Sequence, residues 1–429
     1  MAKVLKRRWQ SDIGGLGLPR RVTRSCDYEA YVPDPLTGRT FAFEGDVAAD
    51  IADAEAAISR MNAEAMALVD TEALARILLR AEAVASSRIE GLEVGARRLL
   101  RAEAERSLHQ SSSDVTVMEV LRNIDAMVYG VERVQLGDEI TLELLLEIHR
   151  RLLRGTYLDR YAGRLRETQN WIGGNDYNPC SAAYVPPPAE HVSELLADLC
   201  DFCNTDELPA VAQAAIAHAQ FETIHPFVDG NGRTGRALIH LVLRRRGLAL
   251  RVLPPISLVL ATGARSYIDG LTKYRYIGSP TSRKATEGVN TWVADFAGAC
   301  TRCVSDATVF QERAKELEKR WRQRLGTIRA NSATDVLLSR LSGAPVLTTH
   351  SAEALIDRTF KPTQTAIGRL VDAGILRPAT ITKRNRVYEA PEIIEAFTAL
   401  ERQLASTGGD TRASPPVRPV PYRPKRPRS

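Results

Sequence analysis

His225-Pro226-Phe227-Val228-Asp229-Gly230-Asn231-Gly232-Arg233-Thr234-Gly235-Arg236 is the stretch on which the reading of this chain turns. It holds three glycines, two arginines, an aspartate and a histidine, between two segments of helical periodicity. Gly230 and Gly232 let backbone amides turn inward as an anion-binding nest. The helix that follows, read from Gly232 to Arg246, aims its positive N-terminus at the same anion. Arg233 and Arg236 share its first turn, so both reach along a phosphate chain. Asp229 is a hard oxygen ligand of the kind magnesium takes together with phosphate oxygens. His225 titrates near neutrality and is a natural general base. These residues together read as a nucleotide-phosphate site with a proton acceptor beside it.

The same stretch resembles the signature of the Fic family, His-Pro-Phe-x-(Asp/Glu)-Gly-Asn-Gly-Arg-x-x-Arg, and meets all nine of its defined positions. The resemblance implies an all-α Fic bundle with a β-hairpin flap, and transfer of AMP from ATP to a Ser, Thr or Tyr hydroxyl of a target protein. It implies His225 as the catalytic base, with Gly230, Asn231, Gly232, Arg233, Thr234, Gly235 and Arg236 around ATP. Asp229 is then the Mg2+ ligand.

Upstream, Ser86-Ser87-Arg88-Ile89-Glu90-Gly91 closes a helical segment read over Thr71–Ile89. Gly91 is a helix stop, and Glu90 is an acid at the negative end of a helix dipole. That costs roughly several tenths of a kcal/mol unless a cation answers it. The segment is similar to the inhibitory motif of Fic proteins, (Ser/Thr)-x-x-x-Glu-(Gly/Asn), met by Ser86, Glu90 and Gly91. In that family the glutamate pairs with the second signature arginine, here Arg236, and blocks placement of the γ-phosphate. Between the two motifs, Gln169–Gly174 and Tyr184-Val185-Pro186 read as a hairpin and loop. The resemblance makes this the flap that holds a target segment by strand addition. Tyr267-Ile268-Asp269-Gly270-Leu271 resembles a family Tyr-Tyr-x-x-Leu element with Ile268 in place of the second tyrosine. It implies a nucleotide-base contact from Tyr267.

The 429 residues should hold two to three domains. Hydrophobic content of 44% with aromatics at 6% suits a soluble, helix-rich protein. No apolar run approaches the roughly 18 residues of a membrane span. The N-terminal basic residues Lys3, Lys6, Arg7 and Arg8 precede no apolar core, so a signal peptide is not expected and a cytoplasmic location is. The net charge of +6 is concentrated in the last residues, where six basic side chains face only Asp410 among six prolines. That tail, 405–429, is expected to be disordered and the rest nearly neutral. Cys200/Cys203 and Cys300/Cys303 each form C-x-x-C, a zinc pattern in other settings. Both pairs lie in helical segments without knuckle turns, so they are read as buried thiols. Cys26 and Cys180 stand unpaired in sequence and suggest nothing further.

The expected order is an N-terminal module with the inhibitory helix (1–110), a Fic catalytic domain (111–300), a connecting helix (301–330), a winged-helix-like domain (331–404) and the tail (405–429). His149 lies on a leucine-rich helical stripe and is read as a core histidine, like His218 on the helix before His225. In 333–389, short helices over Ser351–Arg358 and Thr363–Ala373 flank a Phe360-Lys361-Pro362 turn, and a hairpin carries Lys383, Arg384 and Arg386 near its tip. This resembles the winged helix found after many Fic domains, which implies either protein contact or DNA contact through Thr363, Gln364, Thr365 and Arg369. A DNA-binding regulator that senses nucleotide is the competing function. AMP removal, with Glu90 orienting a water, is open within the enzyme class, as is a homodimer.

Overall fold

The computed structural model describes residues 1–11, 24–66, 71–106, 114–382 and 385–404. The Gly14–Pro19 opening, Lys383 and Arg384, the 110/111 boundary and the tail lie outside the described residues. Strands β1 (Lys3–Trp9) and β2 (Cys26–Val32) pair antiparallel, from Lys3 opposite Val32 to Trp9 opposite Cys26. Then come α1 (Gly45–Met66), α2 (Thr71–Ile89), α3 (Ala96–Arg106), α4 (Val115–Arg133) and α5 (Leu142–Leu153). A long loop leads to α6 (Val192–Cys203), α7 (Ala210–Ile224) and α8 (Asn231–Arg245), followed by α9 (Ile256–Thr262), α10 (Ala264–Tyr274) and α11 (Arg283–Leu325). Asp114, Thr141 and Ser282 cap α4, α5 and α11 by accepting from backbone N–H groups of the first turn.

Helix α7 is the hub. All of its residues are buried, as for a helix enclosed on every side rather than an amphipathic one. Alanines at 210, 212, 214, 215, 217 and 219 keep its surface thin, so neighbouring helices approach closely. Its two glutamines are answered: Gln213 donates to Phe202 O and Thr205 O at 2.8 Å, and Gln220 to Asp34 O at 2.8 Å. Trp292 of α11 donates to Ala215 O at 2.7 Å. The four cysteines of the C-x-x-C pairs are buried free thiols on α6 and α11, with burial pushing Cys200 up to about 12.

The expected boundary at 300/301 does not fall at a break. Helix α11 runs unbroken through it for 43 residues, about 64 Å at 1.5 Å per residue. Its first half packs in the bundle, and its second half carries Trp321, whose indole donates to Glu392 at 2.5 Å. The C-terminal unit comprises α12 (Ala333–Arg340), β3 (Val346–Thr348), α13 (Thr349–Ile356), α14 (Phe360–Asp372), β4 (Arg377–Thr382), β5 (Asn385–Glu389) and α15 (Pro391–Leu404), with antiparallel strand order β3-β5-β4. Phe360-Lys361-Pro362 opens α14 instead of forming a turn. Pro362 stands in the first helical turn, where no N–H is needed.

This unit rests on the two helices that flank Glu90. Arg80 of α2 donates to Gly343 O and, at 2.8 Å, to Glu103. Arg97 (2.6 Å) and Arg101 of α3 both donate to Glu389 of β5, whose side chain is only 4% exposed.

Candidate active site

His225 ends α7 in the left-handed conformation, φ 49° and ψ 61°. A non-glycine residue there costs about 1–2 kcal/mol, so the surroundings must hold it. Arg166, 3% exposed, does so: its Nε donates to His225 O at 2.9 Å, and its other nitrogens reach Pro187 O, Ile224 O and Thr168 O. Asn170 donates to His225 O at 3.2 Å and to Phe227 O at 3.0 Å. Burial, and then Arg166, pull the His225 imidazole down to about 4, so the ring is neutral at pH 7 and holds a free lone pair. Arg166 and Asn170 were not foreseen as site residues. The only signal for Arg166 was an arginine followed closely by Gln, Asn and Trp in a loop.

The signature loop is stitched to itself. Asn231 Oδ1 accepts from Phe227 N at 2.8 Å, and its Nδ2 donates to Phe227 O at 2.9 Å. Phe227 is fully buried and stacks on His149, ring centroids 3.7 Å apart. His149 Nδ1 accepts from Gly163 N at 3.0 Å, which leaves Nε2–H to donate to Asp229 O at 3.0 Å. His149 therefore pins the loop from behind, its ring lowered to about 4 by burial.

Helix α8 starts at Asn231, with Gly230 as its cap at φ 79°. Gly232 is already helical, so the nest reduces to Gly230 and the first-turn amides of α8. The side chains of Asn231 and Thr234, and the Cα of Gly235, are packed in the fold. The Asn231 amide is consumed by Phe227, while Thr234 is fully buried and Gly235 packs against α7. The helical period puts 231, 234 and 235 on the α7 side and leaves 232, 233 and 236 toward the open side. Arg233 is 5% exposed, reaches Asp229 only loosely at 3.4 Å, and its Nε lacks a partner. Asp229 itself is 48% exposed.

Glu90 sits above this first turn. Its Oε1 accepts from Arg236 Nη2 at 2.6 Å, and a Cβ on Gly232 would collide with that oxygen. Arg236, 1% exposed, also donates to Ser86 Oγ at 2.9 Å and Ser86 O at 2.8 Å. Burial opposes both charges, yet each more than offsets it for the other: the Glu90 carboxyl is lowered and the Arg236 guanidinium raised. Gly91 leaves the helix at φ 83°. Asn123 of α4 fixes this helix end, donating to Ala83 O at 2.8 Å and Ser87 Oγ at 3.0 Å. One turn earlier, Glu82 is fully buried, accepts from Ser257 N at 2.7 Å and lies 2.9 Å from His240 Nε2 of α8. The register of α2 on α8 is therefore set at successive turns by Glu82, Ser86 and Glu90.

The expected flap differs. Ile172 and Tyr184 form a single antiparallel bridge rather than a hairpin. Gly173 and Gly174 are both left-handed, at φ 77° and 81°, and Asn175 Oδ1 accepts from the N–H groups of Tyr177 and Asn178. These turns curl the chain away from a ladder. Val185 and Pro186 are buried, and their carbonyls already accept from Tyr31 N and the Gln169 amide at 2.9 Å each. Tyr184 donates to Thr223 O at 2.7 Å under the Arg275 guanidinium. Strand β2 grips this loop further through a disulfide, Cys26–Cys180, with Cα atoms 5.8 Å apart. The separation of 154 positions between those cysteines explains why no spacing announced the pair. Trp9 packs edge-on against Trp171 at 5.3 Å.

Tyr267 is 7% exposed, with its hydroxyl 2.8 Å from His218 Nε2, and it stands close to Arg236.

A mostly helical protein with a buried neutral histidine beside an arginine-lined helix N-terminus is the class this geometry defines. Residues 139–243 match the Fic/DOC family and residues 48–132 the Fic/DOC family N-terminal region. The chain carries a Fic/DOC domain preceded by that family's N-terminal domain. Protein adenylyltransferase fic-1 of Caenorhabditis elegans is 38% identical over 133 residues, 30% of this chain and 23% of that protein. Protein adenylyltransferase Fic of Culex quinquefasciatus is 38% identical over 133 residues, 30% of this chain and 25% of that protein. The chain thus spans about a quarter of the length of the curated relatives it matches. Among solved structures, a Fic family protein from Desulfovibrio desulfuricans shares the fold, with a TM-score of 0.51 at 20% identity, covering 82% of this chain and 97% of that one.

Proposed function

We propose that this protein transfers AMP from ATP to a hydroxyl of a target protein, itself included, and that Glu90 restrains the reaction. One observation carries the reading: the Glu90 carboxylate lies on Arg236 at 2.6 Å, over the first turn of α8 and beside neutral His225. An anion already sits where helix amides and arginines favour one, as a γ-phosphate would. The printed names of the relatives support the activity. In the reaction His225 takes the proton of the incoming hydroxyl, whose oxygen attacks the α-phosphorus. The amides behind Gly230, with Arg233 and Arg236, stabilise the pyrophosphate that leaves.

Asp229 fits magnesium carried in with the nucleotide. It is a single half-exposed carboxylate, and no group of three or more metal-binding side chains occurs among the described residues. When bound, the ion would neutralise charge on the phosphates. We read the C-terminal unit as a winged helix from its order of helices and strands, with a protein or a nucleic acid as its partner. No helix among the described residues is long and apolar enough to cross a membrane. We place the protein in the cytoplasm with its ATP, a compartment in which the Cys26–Cys180 pair would stand reduced.

The test is intact mass after incubation with ATP, UTP and GTP in turn. Glu90→Gly should gain AMP from ATP, the unaltered protein little, and Glu90→Gly with His225→Ala none. Absence of AMP on Glu90→Gly, alone and with candidate targets, would overturn the reading and leave the nucleotide-sensing DNA regulator ahead.

A further inference from the structure

Helix α7 brings a second titratable side chain to the site. Glu222, one turn before His225, has its Oε2 3.9 Å from His225 Nδ1, with the side chains 10% and 19% exposed. Glu222 Oε1 and His225 Nδ1 are both buried without a hydrogen-bond partner. The main-chain carbonyl of Glu222 also approaches the ring. The carboxyl is closed in by α8, since a Cβ on Gly235 would come 2.7 Å from Oε1. A carboxyl oxygen left unsatisfied beside the ring in a packed interior is costly unless some step of the cycle gives it a partner.

We propose that Glu222 is a positioning residue for His225, its carboxylate closing on Nδ1–H when Nε2 takes up the hydroxyl proton. The inference rests on reading His225 as the base. The hydroxyl O–H bond breaks, its proton goes to Nε2, and the electron pair stays on the oxygen that attacks phosphorus. The imidazolium then carries two N–H groups, and Nδ1–H meets Glu222 Oε2 without giving up its proton. A shift of about 1 Å brings the pair to charge-assisted hydrogen-bond distance. A carboxylate so placed fixes the tautomer and stabilises the imidazolium as it forms, the logic of acid–histidine pairs generally.

The charges facing Glu222 fit this role. Burial lifts its carboxyl to about 7, Arg236 of α8 pulls it back, Glu90 beyond α2 pushes it up, and Arg275 after α10 pulls it down.

The experiment uses the full chain with Glu222→Gln and Glu222→Asp, each alone and with Glu90→Gly. The first readout needs no substrate: side-chain nitrogen NMR of His225 against pH. Glu222→Gln should reduce the Nδ1–H tautomer above about pH 7, where the native carboxyl is ionised, and leave the ring titrating near 4, where Glu222 is already protonated. In the Glu90→Gly background it should slow self-labelling at saturating ATP by about 10- to 100-fold, leave KM for ATP unchanged, and remove a limb of the pH–rate profile near neutrality. Glu222→Asp should recover part of the rate. An unchanged His225 tautomer in Glu222→Gln above about pH 7, or labelling equal to that of Glu90→Gly alone, overturns the role given to Glu222. An altered tautomer in a protein that never labels supports the pairing and defeats the transfer reading instead.

Discussion

Replacing Glu90 by glycine tests the contact on which the proposed regulation depends. Arg236 is 1% exposed and Glu90 36% exposed, with 2.6 Å between them. Removing one partner of a fully buried pair costs about 3–5 kcal/mol, but Glu90 opens to solvent and is screened. Ser86 also keeps two of the hydrogen bonds to Arg236. The expected loss is therefore about 1–2 kcal/mol, a fall of about 2–6 °C in Tm. ATP should reverse it, because the vacated position over Gly232 accepts the γ-phosphate. At 100 times Kd the nucleotide returns about 2.7 kcal/mol. ADP, held by the inner-phosphate amides and Arg233, should stabilise both proteins alike. Melting curves with ATP and ADP, run beside ATP-dependent self-labelling, decide it. Equal labelling of the two proteins at matched folding, or equal ATP-induced shifts in Tm, would refute the reasoning and leave α2 as scaffold.

His225→Ala should abolish transfer while ATP affinity, measured by calorimetry, stays within about twofold, since the phosphates are held by α8; affinity lost in step with activity would refute this. Asn231→Ala should lower stability by about 1–3 kcal/mol by stranding the buried N–H and C=O of Phe227, and weaken ATP binding too, read by melting and titration. Glu389→Gln should loosen the C-terminal unit from α3, seen as hydrogen exchange rising in α3 and β5 together. The sign with pH follows from its carboxyl: burial raises it, Arg97 and Arg101 lower it more, and the net is a lowered value. Its stabilisation is therefore present above about pH 4.5 and lost as pH falls through the folded value. The difference in Tm between native and Glu389→Gln should shrink from pH 6 to pH 3.

The twelve residues from His225 to Arg236 were enough to place a helix start and to suggest a phosphate site and a base beside it, because glycine, arginine and histidine declare local chemistry by type and spacing. Glu90 was legible for the same reason: an acid at a helix C-terminus needs a cation, and Arg236 supplied it from another helix. What the sequence left open depends on contacts between distant segments. Which face of α8 meets α7 decides that Asn231, Thr234 and Gly235 also build the loop and the packing. Burial decides that His225 is neutral and that Tyr267 stands behind Arg236. Nothing in the sequence singled out Glu222; the fold sets it 3.9 Å from His225. The Cys26–Cys180 pairing and the seating of β2 on the Ile172–Tyr184 loop join residues about 150 positions apart, a separation over which side-chain type carries no signal. Local chemistry is written in neighbours along the chain, whereas burial, tautomer and partner are fixed only when the helices close around them.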